Sequence, residues 1–244
     1  MKTDAKQPKV KAAPPESKPP EPIPNRKPKT KVLLVDDHPV LRAGLGRLIN
    51  QEADMTVCGE AEDGPTAFEL VGTLTPDIAV IDVSLKGSNG IELIKNLKAR
   101  FPQLPTLVLS MHDESLYAER ALRAGSLGYI MKEEAIEQVI LAIRKVLRGE
   151  IFLSEKMKSK MLHQMASGKG KVVSSPIEQL TDRELEVFRL IGEGYSTRQI
   201  AGQLHLSVRT VEAYREYIKG KLNLKNATEL VQHAFHWVHQ EAAA

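Results

Sequence analysis

Lys31-Val-Leu-Leu-Val-Asp-Asp37 is a short apolar run that ends in two acidic residues. Three later apolar runs each precede one polar residue: Ile78-Ala-Val-Ile81 before Asp82, Thr106-Leu-Val-Leu109 before Ser110, and Gly128-Tyr-Ile-Met131 before Lys132. Short apolar runs that alternate with helix-period segments predict buried parallel strands. Because the carboxyl ends of parallel strands share one edge of an open sheet, we expect these polar residues to lie close together.

The residue types at this edge indicate a phosphate-carrying pocket. Asp36, Asp37 and Asp82 repel one another unless a hard cation joins them, and Mg²⁺ prefers such oxygen ligands. A lysine and a hydroxyl, from Lys132 and Ser110, suit the oxygens of a phosphoryl group. Taken singly, each aspartate is as well explained as a helix or turn cap, and Lys132 as a surface lysine. The neighbouring His38 is interpreted as an ordinary loop residue.

The pattern predicts two folded domains. Residues 31–153 alternate strand and helix five times, which is typical of an α/β domain with a five-stranded, doubly wound parallel sheet. Residues 177–240 are helical throughout, with capping boxes at Thr181-Asp-Arg-Glu184 and Ser196-Thr-Arg-Gln199. The second box opens a short helix, and Ser207 caps a longer one, which is the helix-turn-helix plan of a small all-α domain.

The remaining segments are predicted from composition. Residues 1–30 are rich in Pro and Lys and poor in large apolar side chains, so we expect a disordered tail. Residues 154–176 are interpreted as a linker, in part helical where it begins. The middle of the chain is acidic, whereas the tail and the last segment are basic. Different partners are therefore expected for the two domains, a metal for one and a polyanion for the other.

Location is inferred from what the sequence lacks. Cys58 is the single cysteine, so an intrachain disulfide is excluded and a reducing compartment is favoured. No apolar run approaches the roughly 20 residues of a membrane span, and the N-terminus lacks a secretory signal. We therefore expect a cytoplasmic protein without a membrane partner.

The motifs of both predicted domains closely resemble those of NarL/FixJ-family response regulators. These proteins join a receiver domain to a LuxR-type helix-turn-helix DNA-binding domain. The resemblance covers nearly all of residues 31–240. It rests on Val35-Asp-Asp-His-Pro39, Ile81-Asp-Val83, Leu109-Ser110, Ala124-Gly-Ser-Leu-Gly-Tyr-Ile-Met-Lys132, Leu180-Thr-Asp-Arg-Glu-Leu185 and Leu206-Ser-Val-Arg-Thr-Val-Glu212.

The resemblance implies a role for each pocket residue. Asp82 would accept a phosphoryl group from a sensor histidine kinase. Asp37, Asp82 and the backbone carbonyl of Ser84 would ligate Mg²⁺, with Asp36 acting through water. The phosphoryl oxygens would meet Ser110 and Lys132, and Tyr129 would swing inward as the hydroxyl moves. Phosphorylation would then switch dimerisation and DNA binding, and so regulate transcription.

The predicted helix Val208 to Leu222 is expected to read double-stranded DNA as part of a homodimer. Because the apolar side of this helix faces its own domain core, the opposite side should face the major groove, with Arg209, Glu212, Ala213 and Glu216. At the flanks of that side, we expect phosphate contacts from Thr210, Arg215 and Lys219. A solvated helix face is the alternative, and the glutamates are awkward beside a polyanion. Before phosphorylation, the acidic receiver is expected to cover part of the basic DNA-binding domain.

Two other functions remain open on the sequence. A Mg²⁺-dependent phosphatase with an aspartyl-phosphate intermediate would use similar residues. Such enzymes, however, place an Asp-x-Asp pattern after the first strand, where this chain has Asp-Asp-His. A protein-interaction module that no longer binds DNA is the third reading. We expect a regulator rather than an enzyme.

Overall fold

The computed structural model describes residues 28–111, 114–166 and 176–241. The tail predicted to be disordered, residues 1–30, falls almost entirely outside these ranges, so that prediction is not tested. Of the described helices, none is both long and apolar enough to cross a membrane.

The predicted five-stranded parallel sheet is confirmed. Its strands lie in the order β2-β1-β3-β6-β7, and all neighbours pair in parallel. A two-stranded antiparallel hairpin, β4 and β5, follows the central strand. The strands are β1 Thr30–Val35, β2 Met55–Ala61, β3 Ile78–Asp82, β4 Ser84–Leu85, β5 Ser88–Asn89, β6 Thr106–Ser110 and β7 Gly128–Met131.

Five helices cover both faces of the sheet, because alternate strand residues point to opposite sides. On one side, Val32, Leu34, Ile78 and Val80 pack against α1 and α5. On the other side, the intervening strand residues pack against α2, α3 and α4. The helices are α1 Pro39–Gln51, α2 Gly64–Leu74, α3 Gly90–Arg100, α4 Glu114–Ala124 and α5 Ala135–Leu147.

Gly90 allows helix α3 to begin directly against the end of β3. A Cβ atom at this position would lie 1.9 Å from the carbonyl oxygen of Asp82. The N–H of Gly90 donates to the carbonyl of Val83 at 2.7 Å, and the side chain of Asn89 caps the helix by accepting from the N–H of Ile91 at 2.9 Å. The glycine therefore fixes the backbone around Asp82.

The first half of the predicted linker is a helix, α6 Glu155–Ala166. Ser154 starts it by accepting from the N–H of Met157 at 3.1 Å. The Met157 side chain is buried in the apolar core, so the helix is packed against the first domain. Residues 167–175 of the predicted linker lie outside the described part of the chain, and its last residue, Pro176, begins a 3-10 turn that precedes the second domain.

The second domain has the predicted helix-turn-helix plan. Its helices are α7 Asp182–Gly192, α8 Thr197–Gln203, α9 Val208–Lys221 and α10 Ala227–Glu241. Both predicted capping boxes are present, and Ser207 caps α9 by accepting from the N–H of Thr210. Gly192 allows α7 and α10 to pack closely, because a Cβ there would lie 2.4 Å from the carbonyl oxygen of Ala234 in α10.

Candidate functional site

The polar residues at the strand ends converge as predicted. Asp36 and Asp82 are each only 3% exposed, Ser110 is fully buried, and Lys132 is 5% exposed. The ammonium nitrogen of Lys132 lies 2.7 Å from Oδ2 of Asp36 and 2.6 Å from Oδ2 of Asp82. The lysine is therefore the common counter-charge of two buried carboxylates.

The buried setting shifts the pKa of both partners. Burial raises the pKa of Asp82 to about 7, although the attraction of Lys132 opposes this shift. Nearby Asp36 adds a like charge that raises it further. Burial pulls the pKa of Lys132 down, but the two carboxylates outweigh it and leave this pKa above its usual value. At neutral pH the pocket is poised between binding a proton and binding a cation.

Four side chains could hold a metal ion. Ligand atoms of Asp36, Asp37, His38 and Asp82 all lie within 4.8 Å of one another. Three carboxylates are hard oxygen donors that suit Mg²⁺, which usually completes its shell with water. Mg²⁺ therefore fits the chemistry of this donor set.

His38 is the pocket residue that the sequence reasoning missed. Its Nδ1 atom lies 2.8 Å from Oδ1 of Asp37 and 3.2 Å from Oδ1 of Asp36. His38 does lie in a loop, and its side chain is 60% exposed, but its contact with the acidic pair was not expected. Its place directly after the acidic pair was the available signal, since a strand end carries the next residue along the same edge. An imidazole nitrogen adds a ligand that transition metals accept more readily than Mg²⁺ does.

Of the residues given switch or backbone roles, Ser84 and Ser110 lie near Asp82, and Tyr129 lies in the core of the domain. The N–H of Ser84 donates to Oδ1 of Asp82 at 3.3 Å, which places the Val83–Ser84 turn beside the carboxylate. Ser110 ends β6, next to β3 in the sheet. Tyr129, in β7, is 1% exposed and packs among the side chains beneath α3 and α4, so it already occupies an inward position.

Helix α9 presents the face predicted to meet DNA. Val211 and Ile218 are fully buried in the core of the helical domain. The proposed base-reading residues Arg209, Glu212, Ala213 and Glu216 are exposed, and the proposed phosphate contacts Thr210, Arg215 and Lys219 are half-buried. The ammonium group of Lys219 lies 2.9 Å from a carboxylate oxygen of Glu216, so a phosphate would have to compete with this pair.

The contact between the two domains has the opposite polarity to the one expected. We expected an acidic receiver to cover a basic partner, but the receiver contributes cations at this contact. Lys95 and Arg120 lie 2.8 Å and 3.0 Å from the carboxylate of Asp182, the first residue of α7. Arg120 also donates to the carbonyl of Leu180 at 2.9 Å. The receiver therefore holds α7, and the outer face of α9 stays exposed.

Two family models match the chain, one for each domain. The response regulator receiver domain matches residues 32–144. The luxR family of bacterial regulatory proteins matches residues 178–234. The boundary between the matches falls at the segment that separates the α/β domain from the helical domain.

Several curated and solved proteins resemble the chain over most of its length. The oxygen regulatory protein NreC of Staphylococcus carnosus is 37% identical over 208 residues, which are 84% of this chain and 96% of that protein. Salmonella enterica RcsB, solved bound to promoter P1flhDC in the presence of the phosphomimetic BeF₃⁻, is 27% identical with a TM-score of 0.55, and the match covers 84% of this chain and 98% of RcsB. A LuxR-family two-component response regulator from Aurantimonas is 32% identical with a TM-score of 0.53, over 57% of this chain and 99% of its own.

Proposed function

Because the chain belongs to the NarL/FixJ-type response regulators, phosphorylation-dependent transcription regulators with a receiver and a LuxR-type DNA-binding domain, we propose that Asp82 is its phosphoacceptor. The observation that carries this proposal is the position of the Asp82 carboxylate. It is buried at the end of the central strand, 2.6 Å from Lys132 and within the acidic cluster. Asp36 shares the same lysine and cluster, but it follows β1 and not the central strand.

The surrounding residues have complementary roles in this proposal. Asp37, Asp82 and the Ser84 carbonyl would hold Mg²⁺, with Asp36 acting through water. The bound ion would neutralise charge on the phosphoryl oxygens as the group is transferred. Lys132 would pair with one phosphoryl oxygen, because its ammonium group already lies 2.6 Å from the Asp82 carboxylate. Ser110 would donate a hydrogen bond to another, from the end of the neighbouring strand β6. A sensor histidine kinase is the proposed donor.

The output of the regulator is proposed to be sequence-specific binding of double-stranded DNA. The N-terminal half of α9 would enter the major groove, where Glu212 and Ala213 would meet base edges. A domain of this size makes few contacts on its own. We therefore propose that phosphorylation pairs two copies on two related half-sites, in the cytoplasm where the chromosome lies. A site selection that returns one consensus for wild type and for variants at both residues would contradict base reading by this face.

The phosphoacceptor is tested with a small phosphodonor and Mg²⁺. Intact-protein mass spectrometry should show the gain of one phosphoryl group in wild type and none in Asp82→Asn. Asp54→Asn, at an exposed carboxylate outside the pocket, is the matched control and should label as wild type does. Undiminished labelling of Asp82→Asn would refute the assignment.

The same incubation separates a regulator from an enzyme. In this proposal the phosphoryl group ends on the protein's own carboxylate, so the chain acts as a switch and not as a catalyst for free substrates. Repeated turnover of a small phosphate ester, many phosphates released per chain, would instead support a Mg²⁺-dependent phosphatase.

A further inference from the structure

Ser84 connects the pocket directly to the helical domain. It lies two residues after Asp82, and its N–H donates to Oδ1 of that carboxylate at 3.3 Å. Its hydroxyl donates to Oε1 of Glu186 in α7 at 3.1 Å, across 102 positions of the chain. A single serine therefore touches both the proposed phosphoacceptor and the DNA-binding domain.

The contact continues from Glu186 to the turn of the helix-turn-helix. Glu186 is only 1% exposed, and its second oxygen accepts from Nη1 of Arg183 at 2.7 Å. The other terminal nitrogen of Arg183 donates to the carbonyl of Leu204 at 3.1 Å. Leu204 caps the C-terminus of α8 and begins the turn that leads into α9.

We propose that Glu186 senses the charge on Asp82 and passes it to the DNA-binding helices through the path Ser84–Glu186–Arg183–Leu204. The inference rests on the proposed phosphorylation of Asp82 and adds the contact by which that event reaches α9. In this path, Ser84 alone separates the buried carboxylate of Glu186 in the helical domain from Asp82, which gains charge in the receiver.

The hydroxyl of Ser84 forces a choice between two acceptors. It has one proton to donate, so it can serve Glu186 or a phosphoryl oxygen but not both. A phosphoryl group brings a charge of about −1.5 to −2 and three strong acceptor oxygens. We expect it to draw the hydroxyl away from Glu186, which breaks the only side-chain link of this path between the two domains.

Electrostatic repulsion acts in the same direction. Within the path, Arg183 is the single counter-charge of the Glu186 carboxylate. Tyr117 of α4 is fully buried near Glu186 and Arg189, and burial raises its pKa, so the ring stays neutral and Glu186 has buried surroundings. Repulsion between Glu186 and a new dianion is weakly screened in such a setting. Phosphorylation should therefore raise the free energy of the docked arrangement.

The test compares hydrogen–deuterium exchange of α7 in full-length protein, before and after incubation with acetyl phosphate and Mg²⁺. In wild type, exchange in α7 should rise on phosphorylation. Ser84→Ala keeps the backbone carbonyl but loses the hydroxyl. Its α7 should therefore exchange about two- to tenfold faster before phosphorylation, which corresponds to the net contribution of one hydrogen bond. Glu186→Gln can still accept from Ser84 but lacks the charge, so its response to phosphorylation should be smaller.

Glu137→Gln is the control, because Glu137 is an exposed glutamate of α5 that lies outside the path. It should behave as wild type in both states. A wild-type protein that gains the phosphoryl mass with unchanged α7 exchange would overturn the path, as would wild-type exchange in Ser84→Ala before phosphorylation. If no phosphoryl mass is gained, the proposed function fails instead, and the Ser84→Ala comparison still decides whether the contact holds the domains together.

Discussion

The ammonium group of Lys132 lies 2.6 Å from Oδ2 of Asp82, with both side chains 2% exposed. The pair joins the end of β7 to the end of β3, two strands that do not neighbour each other in the sheet. Since Asp36 shares the same lysine at 2.7 Å, one fixed cation balances two carboxylates. The pocket thus lacks the positive charge to neutralise all of its acids, and a cation or a proton must supply the remainder.

Mg²⁺ affinity should fall as the pH is lowered through about 7. The pKa of Asp82 is raised to about 7 by burial, so below that pH the metal-free carboxyl is protonated and Mg²⁺ must displace the proton. The affinity should then drop by up to tenfold per pH unit, and it should level off above the pKa. Calorimetric titration across this range would measure it.

Substitutions of Asp36 and Asp37 should lower the Mg²⁺ affinity to different extents. Asp37→Ala should weaken Mg²⁺ binding severely and Asp36→Ala less, if the second acts through water. Asp54→Ala, at an exposed site, should leave it unchanged. Equal affinity in wild type and Asp37→Ala would contradict the proposed site.

Arg120→Ala should release the helical domain in the unphosphorylated protein. The guanidinium donates to the carboxylate of Asp182 and to the carbonyls of Leu180 and Ile177 across the contact. Loss of charged hydrogen bonds in a partly buried site weakens docking by about 1–2 kcal/mol. If docking restrains the DNA-binding domain, the affinity of the unphosphorylated protein for DNA should rise by about tenfold.

Arg123→Ala is the matched control for this prediction. Arg123 lies one turn along the same helix, but it is exposed and pairs with Glu119 of its own helix. Such a surface pair contributes little, so DNA affinity should not change. A fragment that begins at about Ile177 should bind DNA at least as tightly as Arg120→Ala. Equal DNA affinity for wild type, Arg120→Ala and the fragment would show that docking does not inhibit.

Lys219→Ala should weaken binding to all DNA sequences alike. Phosphate contacts carry little sequence information, and each one adds about one unit to the slope of log affinity against log salt. Glu216→Gln should have the opposite effect, because it removes the carboxylate that now holds the lysine at 2.9 Å. Salt titrations on a specific and a random duplex would measure both. A loss confined to the specific duplex would place Lys219 at a base edge instead.

Gly90→Ala should destabilise the receiver domain by about 3 kcal/mol, at the upper end for overpacking. The new Cβ would lie 1.9 Å from the carbonyl oxygen of Asp82, so β3 and α3 would have to separate. Gly44→Ala is the control, since nothing lies within 4 Å of its Cβ position in α1. That change should stabilise the protein by about 0.5–1 kcal/mol. Chemical denaturation measures both, and equal stabilities would contradict the close packing.

The sequence predicted the strands best where a short apolar run is followed directly by a polar residue. The run Ile78-Ala-Val-Ile81 with Asp82 became β3 with these same bounds, because a central strand is buried on both faces. Convergence of Asp82 and Lys132 followed from the shared edge of the sheet. The contact of His38 with the acidic pair was missed, because its place after Asp37 was the only signal and the direction of its ring depends on the turn into α1.

Long-range polar contacts were beyond the reach of the sequence. Arg120 and Asp182 are 62 positions apart, and neither stands in a motif that points to the other. The uneven charge of the domains suggested an acidic receiver against a basic partner. The actual contact pairs cations of α3 and α4 with Asp182, which the net charge of each domain does not reveal.

The exposed side of α9 bears on how the regulator finds its sites. Arg209 of α9 stays exposed while the receiver holds α7, so this helix is able to meet the DNA backbone before any signal arrives. We therefore expect the unphosphorylated protein to bind DNA non-specifically, with weak and salt-sensitive affinity, and to slide along it. The delay between phosphorylation and the transcriptional response would then depend on how fast two DNA-bound copies meet at an operator. It would not depend on diffusion of free protein to the DNA.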